Sequence, residues 1–200
     1  GNTVIDALFH VVKEDYIFEG SLLNDIDFKN KRVILLTSHR RENIGKPMEN
    51  IFTAIDEITR KYEDVEVVFP VHLNPKVRDI AHKVFDGNEN IHLVEPLDYE
   101  PFTNLMSKSH IVVTDSGGLQ EEAPSLGKPV LVVREETERP EGIEAGTAKL
   151  VGTSKENISK ELDLLLSNKE EYKKMANAVN PYGDGKASER IVKVILEQMR

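Results

Sequence analysis

The residues with most chemistry in this 200-residue chain are Thr114-Asp115-Ser116-Gly117-Gly118-Leu119-Gln120-Glu121-Glu122-Ala123-Pro124. They join an apolar strand, Ile111-Val112-Val113, to a helix through Ser116-Gly117-Gly118, and they set Glu121 and Glu122 in that helix's first turns. Two glycines let a backbone approach a ligand closely, and the unpaired N–H groups of a helix start favour an anion. A phosphate fits that position, and the carboxylates one turn further in suit sugar hydroxyls. The plain alternative is a tight strand-to-helix turn with solvated glutamates. Pro124 inside a long helix would cost about 3 kcal/mol, so the helix is predicted to be short or bent.

A second group is Thr37-Ser38-His39-Arg40-Arg41-Glu42-Asn43, a run with no helical or strand periodicity. Arginine offers forked donors to phosphate, and histidine can donate or exchange a proton. The alternative is structural, with His39 on a backbone carbonyl and the arginines paired with Glu42. His72 stands before a helix start, where a loop role is the simpler reading. His39, His72 and Glu95 have spacings that match no metal pattern, so no metal site is expected. His82 and His110 read as structural. Phe102 fits an apolar helix position, and its place in a first turn also lets its ring face a base. The segment Tyr182-Gly183-Asp184-Gly185-Lys186-Ala187-Ser188 lacks the spacing and preceding strand of a phosphate loop, and reads as a turn before the last helix.

These residues must be placed by the elements around them. Apolar runs at Arg32–Thr37, Val65–Val71, Ile91–Val94, Ile111–Thr114, Val130–Val133 and Ala148–Val151 are rich in Val, Ile and Leu, as in parallel strands buried on both faces. Helical patterns alternate with them: one opened by Pro47, one capped at Asn74-Pro75 and stopped at Asp86-Gly87, one following Asp98, then Glu156–Leu166 and Ile191–Met199. Repeated β-α units predict an α/β fold with a doubly wound, Rossmann-like parallel sheet. Each chemistry-bearing loop then falls at a strand's carboxyl end, the rim where open α/β sheets bind ligands.

Composition narrows the partners. The hydrophobic content of 39% suits a generous globular domain, and the net charge of −9 leaves no basic surface for a nucleic-acid backbone. The absence of cysteine excludes disulfides and thiolate metal sites and fits a reducing cytoplasm. Apolar runs are strand-sized, far short of the ~20 residues of a membrane span, so no membrane association is expected. The chain opens on Gly1 rather than Met, directly into an amphipathic pattern (Val4, Ile5, Leu8, Val11, Val12), which reads as a piece of a longer protein.

Taken in order, Thr37 to Asn43, Pro70-Val71-His72-Leu73-Asn74-Pro75, Glu95-Pro96-Leu97-Asp98-Tyr99, Thr114 to Pro124, Thr137-Glu138-Arg139-Pro140-Glu141 and Asn180-Pro181-Tyr182-Gly183-Asp184-Gly185 resemble the bacterial non-hydrolysing UDP-N-acetylglucosamine 2-epimerases. The resemblance runs from Gly1 to Arg200 and covers the second half of that family's chain. Gly1-Asn2-Thr3-Val4-Ile5-Asp6 is similar to the family's hinge, which places a missing amino-terminal domain before it. The resemblance implies the carboxyl-terminal, UDP-binding domain of a glycosyltransferase-B-like two-domain enzyme that is a homodimer at full length.

It also implies residue roles. Uracil stacks on Phe102 and meets backbone near Leu97, Glu122 takes the ribose hydroxyls, and Ser116, Gly117 and Gly118 hold the diphosphate. Arg139 lines the site and His39 lies near the reacting sugar. Arg40 and His72 contribute to a second, activating UDP-N-acetylglucosamine. Leu97 stands where some members have Gln, which matters little to a main-chain contact. The implied reaction inverts C2 without NAD, metal or other cofactor: UDP is eliminated to leave 2-acetamidoglucal, then re-added. The base at C2 is expected in the absent half. Three other readings stand beside this one: a glycosyltransferase of the same architecture, a hydrolysing 2-epimerase, and a free-standing, non-enzymatic nucleotide-sugar sensor. The His39-Arg40-Arg41-Glu42-Asn43 run argues against the second.

Overall fold

The computed structural model describes residues 1–19 and 22–199. Six strands, β1 (Arg32–Thr37), β2 (Val65–Pro70), β3 (Ile91–Val94), β4 (Ile111–Thr114), β5 (Val130–Val132) and β6 (Ala148–Leu150), form one sheet in the order β3-β2-β1-β4-β5-β6. Every pairing is parallel. Three strands end one residue earlier than the apolar runs predict. Val71, Val133 and Val151 nonetheless stay buried and donate to Val94, Thr114 and Val132 of the neighbouring strands or their ends, at 2.9–3.0 Å. The runs therefore mark the buried ladder correctly.

Helices cover both faces because successive strand residues point to opposite sides. Ile34 and Leu36 join Val67, Phe69, Ile111 and Val113 under α2 (Lys46–Lys61), α3 (Pro75–Phe85) and α7 (Lys155–Ser167). Phe52, Phe69 and Phe85 meet at centroid distances of 5.0–6.5 Å in the middle of that layer. Val33, Leu35, Val68 and Val112 pack the other way, against α1 (Thr3–Val11), α4 (Tyr99–Lys108) and α5 (Gly117–Glu122). As Pro124 requires, α5 stops after six residues and continues as a 3₁₀ turn, Ala123–Leu126. A further short helix, α6 (Pro140–Glu144), precedes β6.

Two helices, α6 and one further along, have no counterpart in the sequence reading. α8 (Lys169–Ala176) carries almost no apolar face, yet Asn168 caps its first turn by accepting from Glu170 and Glu171 N–H. Tyr172 fastens it, its ring stacked 4.2 Å from that of His110 and its hydroxyl donating to the His110 carbonyl at 3.1 Å. Burial, helped by Arg32 and Lys128, holds the His110 imidazole down at about 4, so this ring is neutral and structural, as read.

The last helix, α9 (Ala187–Gln198), begins four residues before the predicted Ile191. Asp6 of α1 explains the early start, accepting from the Ala187 and Ser188 N–H groups in place of a capping side chain. Asn2 N–H donates to Tyr182 C=O at 2.7 Å, and Asp184 takes both Nη atoms of Arg190 at 2.7 Å. The Tyr182–Ser188 segment is thus a turn that fastens the end of the chain to its beginning. Gly185 is obligatory there: its φ is +78°, and an added Cβ would sit 2.5 Å from the Phe9 ring. Gly185→Ala is expected to destabilise the chain by about 1–3 kcal/mol, read as a lower urea midpoint with unchanged slope.

Candidate functional site

The strand order reverses between β1 and β4, the position where doubly wound sheets open a crevice at their carboxyl ends. Thr37 and Thr114 face each other there in register, with Oγ1 atoms 2.6 Å apart. Beyond them Asp115 is fully buried. Its Oδ2 accepts from the N–H groups of His39 and Arg40, both at 2.9 Å, from Asn43 Nδ2 at 3.1 Å and from Ser38 Oγ at 3.2 Å. Its Oδ1 lies 3.3 Å from His39 Nδ1. One carboxylate therefore shapes the whole loop after β1. Asn43 also donates to the Val133 carbonyl at 3.1 Å, extending the tie to the end of β5.

A cleft of about 490 Å³ opens at this point. Ser38 and His39 border it from the loop after β1, Pro70 from the end of β2 and His72 from the loop beyond, Leu97 from the loop after β3, Phe102 from α4, and Ser116 from the turn after β4. Five of the residues singled out from the sequence thus share one wall or another of a single cavity: His39, His72, Leu97, Phe102 and Ser116. The rings of His39 and His72 stack at 5.7 Å with 14° between their planes. Phe102 is half-buried, packed on the apolar layer while it also borders the cleft.

Gly117 and Gly118 follow Ser116 directly as the first turn of α5. The Ser116 side chain makes no capping bond, and its N–H donates to Thr114 Oγ1 at 2.9 Å. A Cβ added to Gly117 would meet nothing within 4 Å, so packing does not require glycine there. The two glutamates of α5 separate in role. Glu121 is buried and committed, taking Arg139 Nε on one oxygen and Asn2 Nδ2 on the other. That pairing removes Glu121 from the expected set of sugar-facing carboxylates and leaves Glu122. Arg139, at the start of α6, lies outside the lining of the cleft and remains about a third exposed while it pairs with Glu121. Burial, reinforced by the Glu121 charge, pushes the Glu122 carboxyl up to about 7, against the opposing pull of the Tyr99 hydroxyl.

The structural alternative offered for the first loop is overturned in both its parts. His39 meets a carboxylate and not a backbone carbonyl. Glu42 pairs with Arg134 at 2.9 Å, not with Arg40 or Arg41. Arg134 is itself buried and also holds Glu138 through two bonds, at 2.6 and 3.1 Å, which keeps that carboxyl at about 2. Arg40 is placed beside His39 by its N–H bond to Asp115, outside the lining of the cleft. Glu95, at the same rim, is taken by Arg78 at 2.5 Å. Sequence reasoning missed the organising role of Asp115 and the place of Tyr99 beside Glu122. A carboxylate directly after a strand's last residue, two positions before a glycine pair, is the signal that points to the first.

A parallel sheet of this order with a cleft at its switch point defines a doubly wound, Rossmann-like α/β domain. The glycosyltransferase-B type of fold includes the same domain. The C-terminal domain of a group 1 glycosyl transferase from Francisella tularensis matches 80% of this chain and 86% of its own with a TM-score of 0.61, at 21% identity, a likeness of fold alone. The family model for UDP-N-acetylglucosamine 2-epimerase matches residues 1–196, and the chain belongs to that family. It is 57% identical over 196 residues to the UDP-N-acetylglucosamine 2-epimerase of Bacillus subtilis, covering 98% of this chain and 50% of the relative. A crystal structure of the Neisseria meningitidis UDP-GlcNAc 2-epimerase bound to UDP-GlcNAc has a TM-score of 0.89 at 49% identity, over 98% of this chain and 54% of that one. The chain spans about half the length of the curated relatives it matches.

A carboxyl whose proton is held up to about 7 in the folded state loses stabilisation as pH rises from 4.5 through that value, because the unfolded chain ionises first. Glu122→Gln removes the ionisation. Urea unfolding between pH 5 and 8 is expected to show the parent chain losing stability relative to Glu122→Gln as pH increases. A constant difference across that range would contradict the buried, proton-retaining state of Glu122.

Proposed function

We propose that residues 1–200 are the carboxyl-terminal, UDP-holding half of a non-hydrolysing UDP-N-acetylglucosamine 2-epimerase that works in the cytoplasm with an amino-terminal domain of the same protein. The observation that carries this reading is the single cleft at the β1/β4 switch point, bordered by His39, His72, Leu97, Phe102 and Ser116. A family member of the same fold binds UDP-GlcNAc.

In this reading the uracil stacks on Phe102 and meets backbone at Leu97. The ribose hydroxyls reach Glu122, and the diphosphate lies against Ser116, Gly117 and Gly118. The open space over Gly117 supports the last assignment, since the glycine is required by neither packing nor φ. Arg139 adds positive charge at the edge, anchored by Glu121. His39 stands nearest the reacting sugar. Arg40 and His72 serve the activating second ligand, and the stacking of His72 on His39 brings that site against the first.

The chemistry divides between the halves. Elimination of UDP needs a base at C2 and a stabilised diphosphate, and this half supplies the second. The partner domain supplies the base. Loss of the C2 proton to that base and of UDP from C1 leaves 2-acetamidoglucal. UDP then returns to C1 while a proton is delivered to C2 on the face opposite to the one it left, which inverts C2. The surface of α9 supports the two-domain arrangement: Ile191, Val192, Val194, Ile195 and Leu196 are each about half exposed on one twelve-residue helix. At full length the protein is a homodimer in this proposal. Among the described residues no helix is long and apolar enough to cross a membrane.

Calorimetric titration tests the nucleotide assignment on the chain itself. UDP is expected to bind weakly. Glu122→Gln is expected to cost about 1.5–3 kcal/mol against UDP, the range for a hydrogen bond to a charged group, and much less against 2′,3′-dideoxy-UDP. Gly117→Ala is expected to leave stability equal or up to about 1 kcal/mol higher while weakening UDP at least tenfold. Equal UDP affinity in both variants and the parent chain would remove the assignment.

A further inference from the structure

We infer that the two stacked imidazoles of the cleft carry their protons on opposite nitrogens, His39 on Nδ1 and His72 on Nε2, and that Asp115 is the positioning residue that imposes the difference.

For His72 the evidence is a single hydrogen bond. Its Nδ1 accepts from the Asn74 N–H at 3.1 Å, the same Asn74 whose side chain caps α3 by accepting from Lys76 N–H. A nitrogen that accepts holds no proton, so the neutral ring is protonated on Nε2. For His39 the evidence is the immobility of a carboxylate. Asp115 Oδ2 holds two consecutive backbone N–H groups and two side-chain donors, so the carboxylate cannot turn without releasing them. Oδ1 is buried and has no hydrogen-bond partner, and His39 Nδ1 stands 3.3 Å from it. A lone pair on that nitrogen would face a lone pair on a buried anion. A proton there gives the oxygen its donor, and leaving such an oxygen without one disfavours the other tautomer by about tenfold or more. The contact is not a hydrogen bond as it stands, in keeping with site hydrogen bonds that align fully only when a ligand closes over them.

The consequence is a pair of unlike neighbours. His39 is left with Nε2 as an acceptor, and His72 with Nε2–H as a donor, on rings 5.7 Å apart that border the same cleft. His39 thereby selects a ligand group that brings a hydrogen, such as a sugar hydroxyl or amide N–H. A fully ionised phosphate oxygen has no hydrogen to give it and is suited to the His72 side. The proton positions rest on geometry alone. Their use in discriminating sugar from phosphate rests on the nucleotide-sugar reading above.

Two-bond ¹H–¹⁵N correlation spectra of the imidazoles, recorded on the chain alone at a pH where both rings are neutral, test the inference. The expected spectrum shows His39 protonated on Nδ1 and His72 on Nε2. In Asp115→Asn the amide oxygen keeps the backbone donors and the NH₂ turns to His39, which should reverse the His39 tautomer by about tenfold or more in population and leave His72 unchanged. His39 protonated on Nε2 in the parent chain would overturn the inference, whether or not the variant folds. So would an unmoved His39 tautomer in folded Asp115→Asn. Neither failure touches UDP binding, which the calorimetry measures separately, and a failure there leaves the tautomers standing.

Discussion

A buried carboxylate is tolerable only when it is hydrogen-bonded, and Asp115 draws a whole loop onto its Oδ2 to meet that condition. The last ladder position of β4 sets where Asp115 lies, and Thr37 opposite Thr114 sets where the chain leaves β1. From there the Ser38 hydroxyl, the His39 and Arg40 amides and Asn43 have one place to go. Adjacent side chains in the loop are thereby sent in different directions, His39 to the cleft and Arg40 away from it. Removing one partner of a buried charge of this kind is an event of about 3–5 kcal/mol. The shape of the cleft's polar wall therefore shares its fate with the packing of the sheet.

Charge is apportioned just as tightly across the rest of the rim. Of its acidic residues, Glu42 and Glu138 hold Arg134, Glu95 holds Arg78, and Glu121 holds Arg139 and Asn2. Glu122 has only the Tyr99 hydroxyl against its burial, and it alone among these is pushed up to about 7. A chain of net charge −9 that holds an anionic ligand gains by keeping such a group neutral until hydroxyl donors meet it. The Asn2–Glu121–Arg139 link also ties the beginning of the chain to the residue next to Glu122. A movement of the first residues is thus felt at the rim.

The strands were legible because both faces are buried, and a parallel strand in that position writes itself as an unbroken run of Val, Ile and Leu. Knowing where strands end was enough to bring His39, His72, Leu97, Phe102 and Ser116 to one rim, and the resemblance supplied their order of use. What stayed hidden was pairing between distant loops. Glu42 and Arg134 are 92 residues apart and Glu121 and Arg139 are 18 apart, with nothing local to prefer one arginine over another. Asp115 was harder still, since half of its donors are backbone amides and no side-chain pattern encodes them. α8 escaped for a related reason: a polar helix held by one cap and one stacked tyrosine shows no periodicity.

Everything functional proposed for this chain depends on nucleotide occupying the switch-point cleft. Amide-resolved NMR spectra recorded through a titration with UDP test that directly. The largest shifts are expected at Leu97, Phe102, Ser116, Gly117, Gly118 and Glu122, with the second hollow of the domain, bordered by Leu164, Lys174 and Met175, unmoved. Shifts concentrated at that second hollow, or none at the switch point when UDP is saturating, would contradict it.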